Sequence, residues 1–219
     1  MTLKLYFAPG ACSFVPHALL EAAGAPFEPV LVKLHKGENY SADYKALNPR
    51  SQVPVLVDDG EVITQILAIV TRLDQRFPEC QFLPRELLPR VRVLETLAWM
   101  NNTVHPTFTH VFMPHKFAGS PEAQAEIKAF NAVAYKGMLG EIEAMASRAA
   151  GAGRNYLGGA QFGPLDAYAL TLLRWGGFAG HDPQGFPALW SLVQRVAALP
   201  AVARAIERER LQLNVYKAA

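Results

Sequence analysis

Two cysteines, six histidines and a proline at the start of a strand are where this chain could do chemistry. Cys12 is the foremost. It stands in Tyr6-Phe7-Ala8-Pro9-Gly10-Ala11-Cys12-Ser13, where Leu3-Lys4-Leu5-Tyr6-Phe7 reads as a strand that Pro9 and Gly10 break. The next periodic segment begins with the cysteine. Cys12 therefore lies at the N-terminal end of a predicted helix, where unpaired backbone N–H groups and the macrodipole favour a thiolate. A small, inert core cysteine fits the residue type too, and the residues alone leave both readings open. The local resolving position, three residues on, is Val15, which excludes a dithiol cycle but leaves a mixed disulfide on Cys12 possible.

Val53-Pro54 is the second place. A proline opening a strand removes a ladder donor, and a trans edge proline is the ordinary explanation. Near a thiol at the first helix of a β-α-β-α-β-β-α order, a cis proline instead sets the preceding backbone beside the sulfur, ready to pair with an extended peptide. The histidines give no metal site: His105, His110 and His115 recur every five residues, about 500° of helical rotation apart, which scatters them around a helix. His17 reads as packed or hydrogen-bonded, and His105 as either packed or functional.

These residues need elements to hold them. After the opening strand, a helix runs through Pro16–Ala23 and Gly24 ends it. Residues 27–34 read as a second strand, with Pro29 better suited to an edge, and 40–47 as a short helix. The runs 53–57 and 61–63 around Asp58-Asp59-Gly60 form a predicted hairpin. A helix carrying Ile66, Ile69, Val70 and Leu73 on one face follows. From Phe77 the texture changes: Pro78, Pro84 and Pro89 read as a linker, and everything beyond is helical. Residues 87–112 form a predicted helix kinked at Pro106. Residues 121–150 form another, with Ile127, Phe130, Ala134, Met138, Ile142 and Met145 on its buried face. Segments 164–178, 187–199 and 202–211 complete the set. The expected division is an α/β domain over 1–78, a linker over 79–88 and an all-helical domain over 89–219.

The composition is 51% hydrophobic and 18% charged, which supports a sizeable core. A net charge of +2 without a basic stripe argues against nucleic acid. The mixed-sign run Arg204–Arg210 reads as a solvated helix face. No stretch reaches the ~18 apolar residues of a membrane span. Met1-Thr2-Leu3-Lys4 runs straight into a strand with no leader pattern, so a cytoplasmic protein is expected.

At this point the chain resembles the glutathione transferases, most closely the bacterial beta class. The resemblance rests on Pro9-Gly10-Ala11-Cys12-Ser13, Asn48-Pro49-Arg50-Ser51-Gln52-Val53-Pro54-Val55-Leu56, Asp58-Asp59-Gly60, His105, and Asp166-Ala167-Tyr168 with Leu173-Arg174-Trp175, and spans essentially the whole chain. It implies a thioredoxin-like N-terminal domain holding glutathione as co-substrate, an all-helical C-terminal domain with an electrophile pocket, and a homodimer whose subunits meet first domain to second. No metal is implied. Conjugation of glutathione to small hydrophobic electrophiles, in detoxification, is the activity, with monothiol reduction through Cys12 beside it. A dimeric ligand-binding protein on the same fold is the alternative.

Residue by residue, the resemblance sets Cys12 and Ser13 against the glutathione sulfur and His105 over it. Val53, with Pro54 cis, pairs with the cysteinyl backbone, and Lys36 or His35 meets the glycyl carboxylate. The helix opening at Gln65-Ile66 receives the γ-glutamyl carboxylate. The family usually carries an acidic residue where Gln65 stands and Ser or Gly where Ile66 stands. A neutral partner for the γ-glutamyl ammonium weakens binding by about tenfold, and Ile66 narrows the site. Phe108, Phe112 and Trp175 are the candidates for the electrophile pocket. Gly163-Pro164-Leu165-Asp166 departs from the family's Ser or Thr cap in a way that reads as structural.

Overall fold

The computed structural model describes residues 3–218. The approach of Met1-Thr2 to the first strand, and the outer ends of the expected domains at Met1 and Ala219, lie outside the described residues. Strand β1 (Leu3–Phe7) alternates as its sequence does, with Leu3, Leu5 and Phe7 turned into the core. It is flanked by β2 (Glu28–Leu31) and β3 (Val55–Asp58), and β3 pairs with β4 (Glu61–Thr64) in the order β2-β1-β3-β4. β1 and β2 run parallel, and the other two pairings are antiparallel. β2 is an edge strand, so Pro29 costs the ladder little. It stops at Leu31 rather than continuing to residue 34, because the chain turns there into a 3₁₀ segment, Leu34–Lys36, closed by Gly37 at φ 71°. The β3–β4 loop is Asp59-Gly60, both at positive φ as a tight right-twisted hairpin requires.

Helix α1 (Phe14–Ala23) ends on Gly24 in the left-handed conformation. Helix α2 (Ala42–Leu47) starts later than residue 40, where the Ser41 hydroxyl caps the Tyr44 N–H. Helix α3 (Ile66–Arg76) buries Ile66, Ile69, Val70 and Leu73, the face its spacing predicts. This is a thioredoxin-like sheet with its helices.

The rest is helical. The expected 87–112 helix is divided: α4 (Leu87–Trp99) passes through a π turn over Met100–Val104 into α5 (His105–Phe112). Pro106 lacks an N–H, and just before it His105 N–H bonds back to Met100 O. Helix α6 (Pro121–Gly151) buries Tyr135, Leu139, Ile142, Ala146 and Ala149. That corrects the predicted face, of which only Ile142 is fully buried. Thirty-one residues make a helix about 46 Å long, and its first half projects beyond the core, leaving Phe130 76% exposed. Helices α7 (Pro164–Phe178), α8 (Pro187–Ala197) and α9 (Pro200–Glu209) follow, each with proline in its first turn. One hydrophobic cluster runs from Leu5, Phe14 and Ile69 of the sheet region to Leu97, Leu139 and Leu173 of the helices. Helix α1 packs against α7 and α9, so the loop before α1 lies where sheet and helical bundle meet. No single described helix is long and apolar enough to cross a membrane.

Candidate active site

The turn between β1 and α1 carries Cys12. Helix α1 begins two residues later, and the Cys12 carbonyl accepts from Val15 N–H. Its Sγ points to the Val53 carbonyl at 3.6 Å. The Val53–Pro54 peptide is cis, as the motif implies. The two ends of the sequence argument, thiol and cis proline, therefore meet.

The electrostatics differ from the sequence expectation. Burial pushes the Cys12 thiol up to about 12, the Cys12 and Ser13 backbone N–H groups pull the other way, and the Glu209 charge adds to the rise. A partial helix charge supplies roughly 0.3–1 kcal/mol, too little against the desolvation of a buried thiolate. Cys12 is thus a protonated S–H donor at neutral pH.

Ser13 lies beside it in sequence but offers no free hydroxyl. Fully buried, it donates to Ala8 O at 3.2 Å and accepts from Ala8 N–H at 3.1 Å. The expectation that it faces a ligand sulfur is corrected here: its proton is spent on closing the turn.

His105 emerges from the π turn at the head of α5. Its Nδ1 lies 2.9 Å from the Tyr168 hydroxyl, and its ring meets Trp175 edge-on at 4.8 Å. Trp175 Nε1 in turn donates to Gly10 O at 2.8 Å, two residues before Cys12. Burial lowers His105 to about 4, so the imidazole is neutral. Phe108 stacks on Trp175 at 4.7 Å and on Phe112 at 5.4 Å, and Phe112 meets Phe178 at 5.7 Å. The three expected pocket aromatics thus form one row, with Phe178 extending it.

At the other side, Gln65 stands just before α3. The N–H groups of Ile66, Leu67 and Ala68 precede the first intrahelical bond, from Ile69 N to Gln65 O, and the exposed Gln65 side chain makes no cap. Gln65 has φ 71° and ψ 130°, a conformation costing an L-residue about 1–3 kcal/mol. Ile66 is 2% exposed and belongs to the main core, so the expectation that its side chain narrows the site fails: it turns inward. Lys36 and His35 are both exposed on the 3₁₀ segment.

Two functional neighbours escaped the sequence. Glu209, within the run read as solvated, is 3% exposed; its Oε2 accepts from Gly10 N–H at 2.8 Å and its Oε1 lies 2.6 Å from His17 Nδ1. Val202, Ala205 and Glu209 share the buried face of α9, a spacing that could have flagged it. His17 is packed between Phe7 and Phe27, as expected of it. Arg204 and Arg208 pair with Glu21. Tyr168 is the other, with nothing but its place in the Asp166-Ala167-Tyr168 motif to mark it. Asp166 itself caps α7, accepting from Gly163 and Leu157 N–H. Among the described residues no cluster of His, Cys, Asp or Glu could hold a metal ion; His110 instead bonds Pro106 O.

Residues 1–75 match the family described as glutathione S-transferase, N-terminal domain. The chain is 32% identical over 216 residues to glutathione S-transferase GstA of Escherichia coli O157:H7, covering 96% of this chain and all of that one. A solved bacterial beta class glutathione S-transferase of Sphingomonas chungbukensis superposes with a TM-score of 0.82 at 30% identity, over 95% of this chain and all of that one. A sphingomonad glutathione S-transferase complexed with glutathione gives 0.80 at 32% identity, with the same coverage. Match, identity and shared fold together place the chain in the glutathione S-transferase family.

Proposed function

We propose that this enzyme conjugates the thiol of glutathione to small hydrophobic electrophiles, working as a homodimer. The observation that carries the reading is the Cys12 sulfur set 3.6 Å from the carbonyl of a cis Val53–Pro54 peptide, the arrangement that receives an extended cysteinyl backbone by strand-like pairing. In this reading the backbone of Val53 and the shape imposed by Pro54 hold the cysteinyl unit. Lys36 or His35 meets the glycyl carboxylate. The open N–H groups of Ile66 and Leu67 take the γ-glutamyl carboxylate, while the Gln65 amide faces its ammonium.

The nucleophile is the sulfur of glutathione. A free thiol has a pKa of ~8.5, and lowering it by two units takes ~2.7 kcal/mol. Donors around the nascent thiolate supply this: the Cys12 S–H, the backbone N–H groups leading into α1, and His105. Ser13 contributes by holding the turn. The thiolate attacks an electrophilic carbon lying on the Phe108–Phe112–Trp175 row, a C–S bond forms, and the halide or other leaving group departs with its electron pair. The thiol proton passes to solvent.

A protonated Cys12 favours this over monothiol reduction, which needs Cys12 itself as thiolate. Gln65, which stands where the family usually carries an acidic residue, is the departure that favours the ligand-binding alternative. Rates with glutathione and a chlorodinitrobenzene test the proposal. The wild type should form the thioether, and Cys12→Ala should lower kcat by about tenfold, one charge-assisted donor, with a small change in the KM for glutathione. No thioether from the wild type would overturn the reading.

A further inference from the structure

Arg174 stands one residue before Trp175 on α7, and its guanidinium lies against the Cys12 loop. A Cβ added at Gly10 would come within 2.7 Å of its Nη1, 3.2 Å of its Cζ and 3.4 Å of its Nη2. Glycine is therefore what lets the cation approach, besides permitting the φ of 69° there. Gly10 is two residues from Cys12, a span of about 7 Å at most. The guanidinium carbon also lies 5.3 Å from the centre of the Phe178 ring. Phe178 ends the aromatic row on its open side, where it and Phe112 are 46% and 53% exposed, while Phe108 and Trp175 are buried.

An arginine has five N–H protons. The one on Nε goes to Gln212 O at 2.8 Å. Among the described residues the four on Nη1 and Nη2 meet no acceptor, and the side chain makes no ion pair. Burial strips part of its hydration and lowers its pKa, opposed only by the charge of Glu209. That carboxylate is already engaged by Gly10 N–H and His17. A partly desolvated cation without a carboxylate in contact is an unfavourable arrangement, which an incoming anion relieves. Stacking on an aromatic face leaves the edge of the guanidinium open, and that planar edge matches the two oxygens of a carboxylate.

We propose that Arg174 sets specificity for the second substrate, holding the carboxylate of a small aromatic acid whose ring lies along the Phe178–Phe112 end of the row. The turnover of such an acid rests on the conjugation reading; the anion site does not. The groups proposed for the two glutathione carboxylates, Lys36 or His35 and the opening of α3, all belong to the sheet half. Arg174 belongs to the helical half with the aromatic row, which assigns it to the electrophile.

Calorimetric titration of the full chain with a methylnitrobenzoate, which has no leaving group, and with the matching neutral methylnitrobenzamide tests the site without turnover. The acid should bind about tenfold tighter than the amide. Arg174→Met should remove that preference while leaving the amide within about twofold, and Arg174→Lys, a point charge without the fork, should keep part of it. In conjugation assays with a chloronitrobenzoate, Arg174→Met should raise the KM for the acid about tenfold, with kcat and the KM for glutathione little changed. Equal affinity for acid and amide in the wild type would overturn the proposal without any variant having to fold. Equal weakening of both in Arg174→Met would overturn it too, by showing that the side chain only supports the Cys12 loop. So would a rise in the KM for glutathione in place of that for the acid. If the wild type prefers the acid but forms no thioether, the conjugation reading falls and the anion site stands.

Discussion

The Cys12 thiol sits where its sequence context places it, beside the cis Val53–Pro54 peptide, yet burial pushes its pKa up to about 12 rather than down. Position was legible because strand, breaker and helix onset are local signals. Protonation was not, because desolvation depends on what packs over the turn from the helical half. The same holds at Ser13 and Ile66, which the resemblance set toward the ligand and whose neighbours turn them inward. Gln65 is different: it is exposed at the open end of α3. Gln65→Glu should tighten glutathione by about three- to thirtyfold in calorimetric titrations, with the gain shrinking as salt rises. Unchanged affinity would show that Gln65 does not face the ligand. Ile66→Ser is unsuited as a companion variant, since removing that buried chain should itself cost about 2–5 kcal/mol in a urea titration.

At the scale of elements, α9 reaches back to the β1–α1 loop through one carboxylate. Glu209 holds Gly10 N–H and His17 together, all in the buried seam between sheet and helices. Glu209→Ala leaves the buried imidazole and the backbone donor without their acceptor, and should lower stability by about 3–5 kcal/mol in denaturant unfolding, against a much smaller loss for Glu209→Gln. Equal losses would show that an amide cannot stand in for the carboxylate, whereas no loss in Glu209→Gln would show that the side chain acts by volume alone. The succession of elements, the hairpin and α3 were readable from alternation, Asp-Gly and helical spacing, all properties of adjacent residues. The α6 face was misread because apolar residues continue along a helix that outruns its core. The π turn before Pro106 has no sequence signature beyond the proline, yet it delivers both Asn101 and His105.

For the whole molecule, the continuous core from Leu5 to Leu173 holds the sheet and the helices together, and the loop before Cys12 meets Trp175, which in turn packs against His105 and Phe108. Phe130 and Val133 remain 76% and 74% exposed on α6, with Leu87 and Leu88 exposed at the start of α4, apolar surface in keeping with the proposed homodimer. Sedimentation at micromolar concentration should give a dimer, and Phe130→Glu should shift it toward monomer; a wild-type monomer would reject the assembly. The central claim is that the reacting sulfur belongs to glutathione while Cys12 stays a protonated neighbour. Mass spectrometry of the protein and the small-molecule fraction, after incubation with glutathione and a chlorodinitrobenzene, tests it most directly. The account predicts a free glutathione thioether and an unmodified Cys12. A glutathionylated or arylated Cys12 with no free thioether would contradict it.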